Sequence, residues 1–297
     1  MEFRENVGLK DWTWWKIGGP ADFFCLPKTV EEVREAVLFS KAKKIPITVL
    51  GGGSNVLISD GGVEGLVIGM KQLNQSIVRE DEGRVSVEAL AGTPKSELTK
   101  IYMKRKLAPA LFLCGLPGDV GGGIVMNAGI GEKVVPREFV EITDWFEYLD
   151  LSDKSVPLKR MEKSQATWHY RHSDGWQPGI IVRAQVSWPN QPIEDIPNQV
   201  REATKNRLAR QPLDLPSCGS TFKNPPGHHA GALIEKAGLK GFKNGGAQVS
   251  PKHANFIVNV GGATAADVQG VILHVKAEVK KQFGVTLETE VKYIGRW

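Results

Sequence analysis

The sequence predicts an α+β protein of two or three domains, and three observations carry that prediction. Helix patterns opened by capping residues alternate with short strand patterns, and glycine clusters separate them. The 297 residues, 41% hydrophobic and 24% charged, are enough to bury more than one core.

In chain order, Thr29-Val30-Glu31-Glu32 reads as a capping box, and Val30, Val33, Val37 and Leu38 recur at helical spacing to about Lys44. Pro46 ends that helix, and Ile47-Thr48-Val49-Leu50 reads as a short buried strand. Leu66-Val67-Ile68 is a second apolar run, set off by Gly61-Gly62 and Gly65. Val85-Ser86-Val87-Glu88-Ala89 alternates like a strand, after which Thr93-Pro94 opens a helix through Leu98, Ile101, Tyr102 and Leu107. Ile180-Ile181-Val182-Arg183 is a further strand. Beyond it the pattern gives helices at about 197–209 and 232–236 and a strand at 256–259. A long helix follows, opened by Thr264-Ala265-Ala266-Asp267, where Asp must stand in for the usual Glu, and closed by Gly284. In the last strand Val285, Leu287, Thr289, Val291 and Tyr293 take one face and Thr286, Glu288, Glu290 and Lys292 the other. Two carboxylates then share a side, which as pattern alone is equally an exposed polar face.

The glycine clusters carry the first hint of chemistry. Gly51-Gly52-Gly53-Ser54-Asn55-Val56 follows a strand and offers backbone N–H groups without side chains, as an anion nest for a pyrophosphate does; a flexible hairpin is the alternative. Cys114-Gly115-Leu116-Pro117-Gly118-Asp119-Val120-Gly121-Gly122-Gly123 runs on into Met126-Asn127-Ala128-Gly129. Close approach to a large ligand explains so many glycines, and very tight helix packing is the competing account. Neither the P-loop spacing nor a strand-bound Gly-x-Gly-x-x-Gly is present, so the P-loop and Rossmann solutions find no support. Late in the chain, Cys218-Gly219-Ser220-Thr221-Phe222-Lys223-Asn224-Pro225 sets a hydroxyl, an ammonium and an amide behind a glycine. These are donors suited to an oxyanion or a proton transfer, against the plain alternative of a serine in a turn.

Composition narrows the classes. The start, Met1 to Lys16, has acids and tryptophans instead of an apolar signal core, and no window approaches 18 apolar residues, which predicts a cytoplasmic protein with no membrane partner. Cys25, Cys114 and Cys218 are odd in number and unpaired in spacing, which suits a reducing compartment. His169 and His172, and the adjacent His228 and His229, lack companion ligands, so no metal is expected. The net charge of +5 comes from lysines near predicted helix ends, without interleaved aromatics, and predicts no nucleic-acid partner.

Six blocks in order carry a resemblance. They are Thr13 with Lys16-Ile17-Gly18-Gly19-Pro20-Ala21; Gly51-Gly52-Gly53-Ser54-Asn55; Gly115-Leu116-Pro117-Gly118 with Gly121-Gly122; Asn127-Ala128-Gly129; Tyr170-Arg171-His172-Ser173; and Gly219 to Pro225. With Gly245 to Asn259 and Leu287-Glu288-Thr289-Glu290-Val291, the chain resembles the UDP-N-acetylenolpyruvoylglucosamine reductase family over nearly its whole length. The resemblance implies a two-part FAD-binding domain of the vanillyl-alcohol-oxidase/PCMH type at 1–70 and 71–198, and an α/β substrate-binding domain at 199–297. The last strand is free to return to the first part. It implies an enzyme of peptidoglycan precursor synthesis that takes NADPH and UDP-N-acetylglucosamine enolpyruvate in ping-pong order, with no obligate protein partner.

Residue roles follow from the same resemblance. FAD contacts fall on Gly51, Gly52, Gly53, Ser54, Asn55, Val56, Gly115, Pro117, Gly118, Gly121, Gly122, Asn127 and Ala128. Reduction of an enolpyruvyl ether needs a hydride, which flavin N5 supplies, a proton at the other alkene carbon, and stabilisation of enolate-like charge. Arg171 matches the guanidinium that holds the substrate carboxylate, Ser220 the proton donor, and Glu290 a carboxylate near that substrate group. A hydroxyl is a weak acid, so donation by Ser220 needs a neighbour such as Lys223 or a water chain, and Lys223 is also expected among the substrate-binding residues. Tyr170, Asn224, His253, Asn255 and Arg210 match sugar or diphosphate contacts. Residues 130–165 depart from the family pattern, and the short interval between Arg171 and Ile180 fits the shorter, type II-like subgroup. An FAD-dependent oxidase is the first rival, but 51–57 has no His or Cys to tether a flavin. A silent flavin or nucleotide-sugar binding protein is the second, and it would be expected to lose one of Arg171, Ser220 and Glu290.

Overall fold

The computed structural model describes residues 1–81, 83–130 and 134–297. The chain divides into two compact units: Met1–Phe3, Phe24–Gly52 and Leu66–Asn206 form the first, and Arg4–Phe23, Gly53–Gly65 and Arg207–Trp297 the second.

In the first unit an antiparallel five-stranded sheet runs in the order Ser76–Asp81, Arg84–Leu90, Gly179–Pro189, Thr143–Asp150, Leu158–Glu162. The alternation predicted at Val85–Ala89 is what fixes its faces. Val85, Val87 and Ala89 are buried with Phe146, Ala184 and Val186 against Tyr102, Phe112 and Phe139 of the covering helices. The helix Val30–Lys43 begins as predicted, with Thr29 Oγ1 accepting from Glu32 N at 3.2 Å. The box is only half closed, because the Glu32 carboxylate takes the Lys28 N–H and not that of Thr29. Ile47–Leu50 pairs in parallel with the end of the next strand, Ile47 opposite Leu66 and Leu50 opposite Gly69. It is half-buried where full burial was expected, with Val49 41% exposed.

The helix expected to run through Leu107 stops at Lys104. Lys106 takes a left-handed φ of 54°, and Leu107 N–H reaches back to the Tyr102 carbonyl at 3.0 Å. This is a Schellman stop with lysine in the slot glycine usually fills, and the buried Leu107 is its hydrophobic contact. The helix Ile196–Arg210 starts within the first unit because Ile196 and Val200, one turn apart, are buried in that core.

The second unit is organised around the helix Ala265–Phe283. Asp267 does complete the capping box: Thr264 N donates to its Oδ2 and its own N–H to Thr264 Oγ1, both at 3.0 Å, and Gly284 ends the helix at φ 71°. Val268, Val271, Ile272, Val275 and Val279 face a core that includes Trp15, Leu57, Phe222, Ile234 and Val249. Strands Lys243–Asn244, Ala247–Val249 and Ile257–Asn259 form one small sheet. Trp15 Nε1 donates to the Ile257 carbonyl at 2.7 Å, while Asn259 Nδ2 donates to the Trp15 carbonyl at 2.9 Å.

The continuous strand expected over 285–293 is not continuous. Only Lys292–Ile294 is a strand, pairing in parallel with Val56–Ile58, and it is preceded by a single bridge, Phe222 to Thr289. The alternation survives as burial: Leu287 and Val291 are in the core, Glu288 is exposed and Glu290 half-buried. Partners for the segment come from two distant parts of the chain, and the ladder breaks where it passes from one to the other.

Candidate active site

In the second unit the serine loop lies between two other segments. Thr221 N–H donates to the Asn255 carbonyl at 2.8 Å, and Glu290 N–H donates to the Thr221 carbonyl at 2.8 Å. Bridges from Ser220 to Phe256 and from Phe222 to Thr289 flank these bonds. Ser220 is half-buried, and its hydroxyl makes no hydrogen bond among the described residues. Gly219 precedes it at φ 74°, a conformation open to glycine at little cost.

Cys218 is 4% exposed, and burial pushes its thiol up to about 12. Its Sγ donates to the Val56 carbonyl at 3.5 Å, so it is a packing residue behind the glycine and a poor nucleophile. Through Val56 the serine loop meets the first glycine cluster. Asn55 Nδ2 donates to the Glu290 carbonyl at 3.2 Å, and Lys292 N–H donates to the Asn55 carbonyl at 3.0 Å. Ser220, Glu290, Asn55 and Val56 thus share one hydrogen-bonded backbone frame.

Several predicted contacts have side chains already engaged by protein. Asn255, 5% exposed, accepts from Phe222 N at 3.0 Å and donates to Phe222 O at 2.9 Å. Asn224 Oδ1 accepts from Ala230 N at 3.0 Å, capping the helix Ala230–Lys236. Lys223 Nζ stands 3.6 Å from the Glu288 carboxylate. His253 Nδ1 accepts from Asn255 N at 3.3 Å, and burial holds the ring's pKa below the ordinary histidine value. Arg210 is exposed at its helix end.

In the first unit the two glycine clusters touch. A Cβ on Gly52 would stand 2.8 Å from Gly118 Cα, and one on Gly51 would stand 2.9 Å from the Asp119 carboxylate oxygens. Asp119 caps Val120–Val125, its Oδ1 accepting from Gly122 N at 3.2 Å. Burial raises the Asp119 carboxyl, opposed chiefly by the positive charge of Lys95; Lys95 is itself lowered to about 8 by burial. Neither Lys95 nor Asp119 stood out in the sequence, although an Asp directly before Val-Gly-Gly is a readable cap signal.

Packing explains some of the glycines there. Cβ atoms at Gly121 and Gly123 would meet Ala91 at 2.9 Å and the Phe139 ring at 2.6 Å, so packing accounts for both. Asn127 is also engaged: Nδ2 donates to Glu138 Oε2 at 3.0 Å and to the His169 carbonyl at 3.1 Å, and Oδ1 accepts from Val140 N at 3.1 Å. Its main chain is what remains for a cofactor. Tyr170 and Arg171 form the turn of the hairpin Thr167–His169 and His172–Asp174. Arg171 holds φ 61°, a costly conformation for arginine, with its guanidinium 4.7 Å from the Tyr170 ring centroid and Nη2 donating to the Gly129 carbonyl at 2.9 Å.

A dinucleotide cofactor fits these residues. Gly52 meets Gly118 with no side chain between them, and the N–H groups of Gly53 and Ser54 make no hydrogen bond among the described residues. Among those residues, no helix is long and apolar enough to cross a membrane.

Comparison with known proteins gives the same picture. Residues 211–294 match the family model described as UDP-N-acetylenolpyruvoylglucosamine reductase, C-terminal domain, and residues 21–150 match an FAD binding domain. The chain is 42% identical over 296 residues to the UDP-N-acetylenolpyruvoylglucosamine reductase of Listeria innocua serovar 6a, covering 99% of this chain and 96% of that one. The protein of that name in Clostridium beijerinckii is 42% identical over 295 residues, covering 99% and 93%. The crystal structure of UDP-N-acetylenolpyruvylglucosamine reductase from Thermus caldophilus superposes with a TM-score of 0.80 at 31% identity, covering 99% of this chain and all of that one.

Proposed function

The chain belongs to the UDP-N-acetylenolpyruvoylglucosamine reductase family, and on that premise we propose the roles of its site residues. The protein is an FAD-dependent oxidoreductase that reduces UDP-N-acetylglucosamine enolpyruvate to UDP-N-acetylmuramate in peptidoglycan precursor synthesis, with NADPH as reductant. Its FAD-binding fold is of the PCMH type, joined to a substrate-binding domain that we assign to 199–297. The oxidase and silent-binder alternatives are not favoured.

When bound, FAD supplies the hydride that one alkene carbon receives. Ser220 gives the proton to the other carbon, Arg171 holds the substrate carboxylate in its planar fork as charge develops, and Glu290 supports that end of the substrate. Gly51 to Val56, with Gly115, Pro117, Gly118, Gly122 and the main chain of Asn127 and Ala128, hold FAD. Tyr170, Lys223, Arg210, His253 and the Nδ2 donors of Asn224 serve the sugar nucleotide. The observation that best supports this reading is the shared backbone frame of Asn55, Ser220 and Glu290. It joins a cofactor residue, a proton donor and a carboxylate within a few bonds of each other.

Anaerobic mixing tests the reading directly. The yellow protein should bleach with NADPH and regain its colour on addition of the enolpyruvyl sugar nucleotide. A preparation that takes up no FAD, or a reduced flavin that this substrate leaves reduced, overturns it. Gly52→Ala tests the cofactor contact separately. The added methyl group forces Gly52 away from Gly118, at a cost of about 1–3 kcal/mol. FAD affinity measured by flavin fluorescence should fall accordingly, and an unchanged affinity would remove Gly52 from the site.

A further inference from the structure

We propose that Asn255 is a positioning residue for Ser220 and makes no contact with the sugar nucleotide. The inference rests on the reading of Ser220 as proton donor.

Both ends of the Asn255 carboxamide are committed to one residue. Oδ1 accepts from Phe222 N at 3.0 Å and Nδ2 donates to Phe222 O at 2.9 Å, so the side chain supplies the pair of bonds that a neighbouring strand would otherwise give. The Asn255 carbonyl takes the Thr221 N–H at 2.8 Å. Asn255 therefore bonds both of the two residues after Ser220, while Ser220 itself bridges to the adjacent Phe256. On the far side, Glu290 N–H binds the Thr221 carbonyl and Lys223 N–H binds the Glu288 carbonyl, at 2.8 and 2.9 Å.

Residue chemistry explains why asparagine suits this place. The main chain of Phe222 presents one donor and one acceptor, and a carboxamide offers the complement of both on a short stem. An ionised aspartate lacks the donor, and leucine lacks both groups. At 5% exposure, little of Asn255 is open to a ligand, and a substrate contact would require breaking buried bonds. What Asn255 controls is where the Ser220 hydroxyl stands, and proton donation is sensitive to displacement of that kind: a shift of about 1 Å can cost roughly 10²-fold in rate.

The experiment compares Asn255→Ala, Asn255→Asp and Ser220→Ala as FAD-loaded enzymes in the two half-reactions, with substrate affinity read from the perturbed spectrum of the oxidised flavin. Asn255→Ala should keep flavin reduction by NADPH and substrate affinity within about twofold, and slow reoxidation at saturating substrate by roughly 10²-fold. Asn255→Asp, which keeps the volume and the acceptor, should be slowed less and carries the test if the alanine variant loses FAD. Reoxidation at the wild-type rate, weakened substrate affinity with unchanged reoxidation, or an equal fall in both half-reactions would each overturn the inference. If Ser220→Ala itself reoxidises normally, it is the proton-donor reading that fails.

Discussion

Ser220→Ala is expected to leave flavin reduction by NADPH close to the wild-type rate and to slow reoxidation by the enolpyruvyl substrate by about 10²–10⁴-fold, the usual worth of a positioned proton donor. Little else should change. The bonds that hold the loop are main-chain bonds of Thr221 and the Phe222 pair with Asn255, and none uses the Ser220 side chain. The hydroxyl has no partner among the described residues whose loss would leave a buried group unsatisfied. Rapid-mixing measurement of each half-reaction separates the outcomes, because an interaction made only in the transition state lowers the rate at saturation without weakening substrate binding. Normal reoxidation would move the proton to another donor, and a loss confined to substrate affinity would make Ser220 a binding residue.

How much of this was legible in the sequence depended on how local the deciding contact is. The capping box at Thr264 and Asp267 and the stop at Gly284 are settled within a few residues, and both are as predicted. The stop at Lys104 was missed, since a lysine at φ 54° looks like any other lysine until Leu107 is seen buried behind it. Alternation over 285–293 foretold burial correctly and pairing incorrectly, because pairing depends on Phe222 and on Val56–Ile58, far away in the chain. For the same reason the sequence gives no sign that the side chains of Asn127 and Asn255 are engaged by protein. An exposed and a fully engaged amide are identical in sequence, and only the partners, Glu138 and His169 in one case and Phe222 in the other, tell them apart. The glycines divide likewise: Gly52 abuts Gly118 across two clusters, whereas Gly121 and Gly123 are small because Ala91 and Phe139 lie against them.

Lys95→Met should leave the protein at least as stable as the wild type at neutral pH, because it replaces a buried charge with a hydrocarbon of similar length. Lys95 is 4% exposed, and its ammonium is the charge that offsets the buried Asp119 carboxylate beside Gly51. Without it, Asp119 keeps the N–H of Gly122, and burial raises its carboxyl further toward the neutral form. Asp119→Asn keeps a good helix cap and strands the ammonium, so it should be the more costly change, and the double variant, which removes both charges, should recover most of that loss. The pH dependence distinguishes this account from simple repacking. Lys95 is lowered from its ordinary 10.5 to about 8, with burial as the leading cause. Between those two values the unfolded chain binds the proton that the folded protein has released, so the Lys95 contribution makes stability rise with pH across that window, by about 3 kcal/mol in all. Below pH 8 both states hold the proton and the burial cost is present in full. Urea unfolding of wild type and Lys95→Met at a series of pH values should therefore give a stability difference that shifts toward the wild type between pH 8 and 10.5. A difference that is flat across that range would mean that the ammonium is solvated in the folded protein and plays no part in holding Asp119 against the glycine cradle.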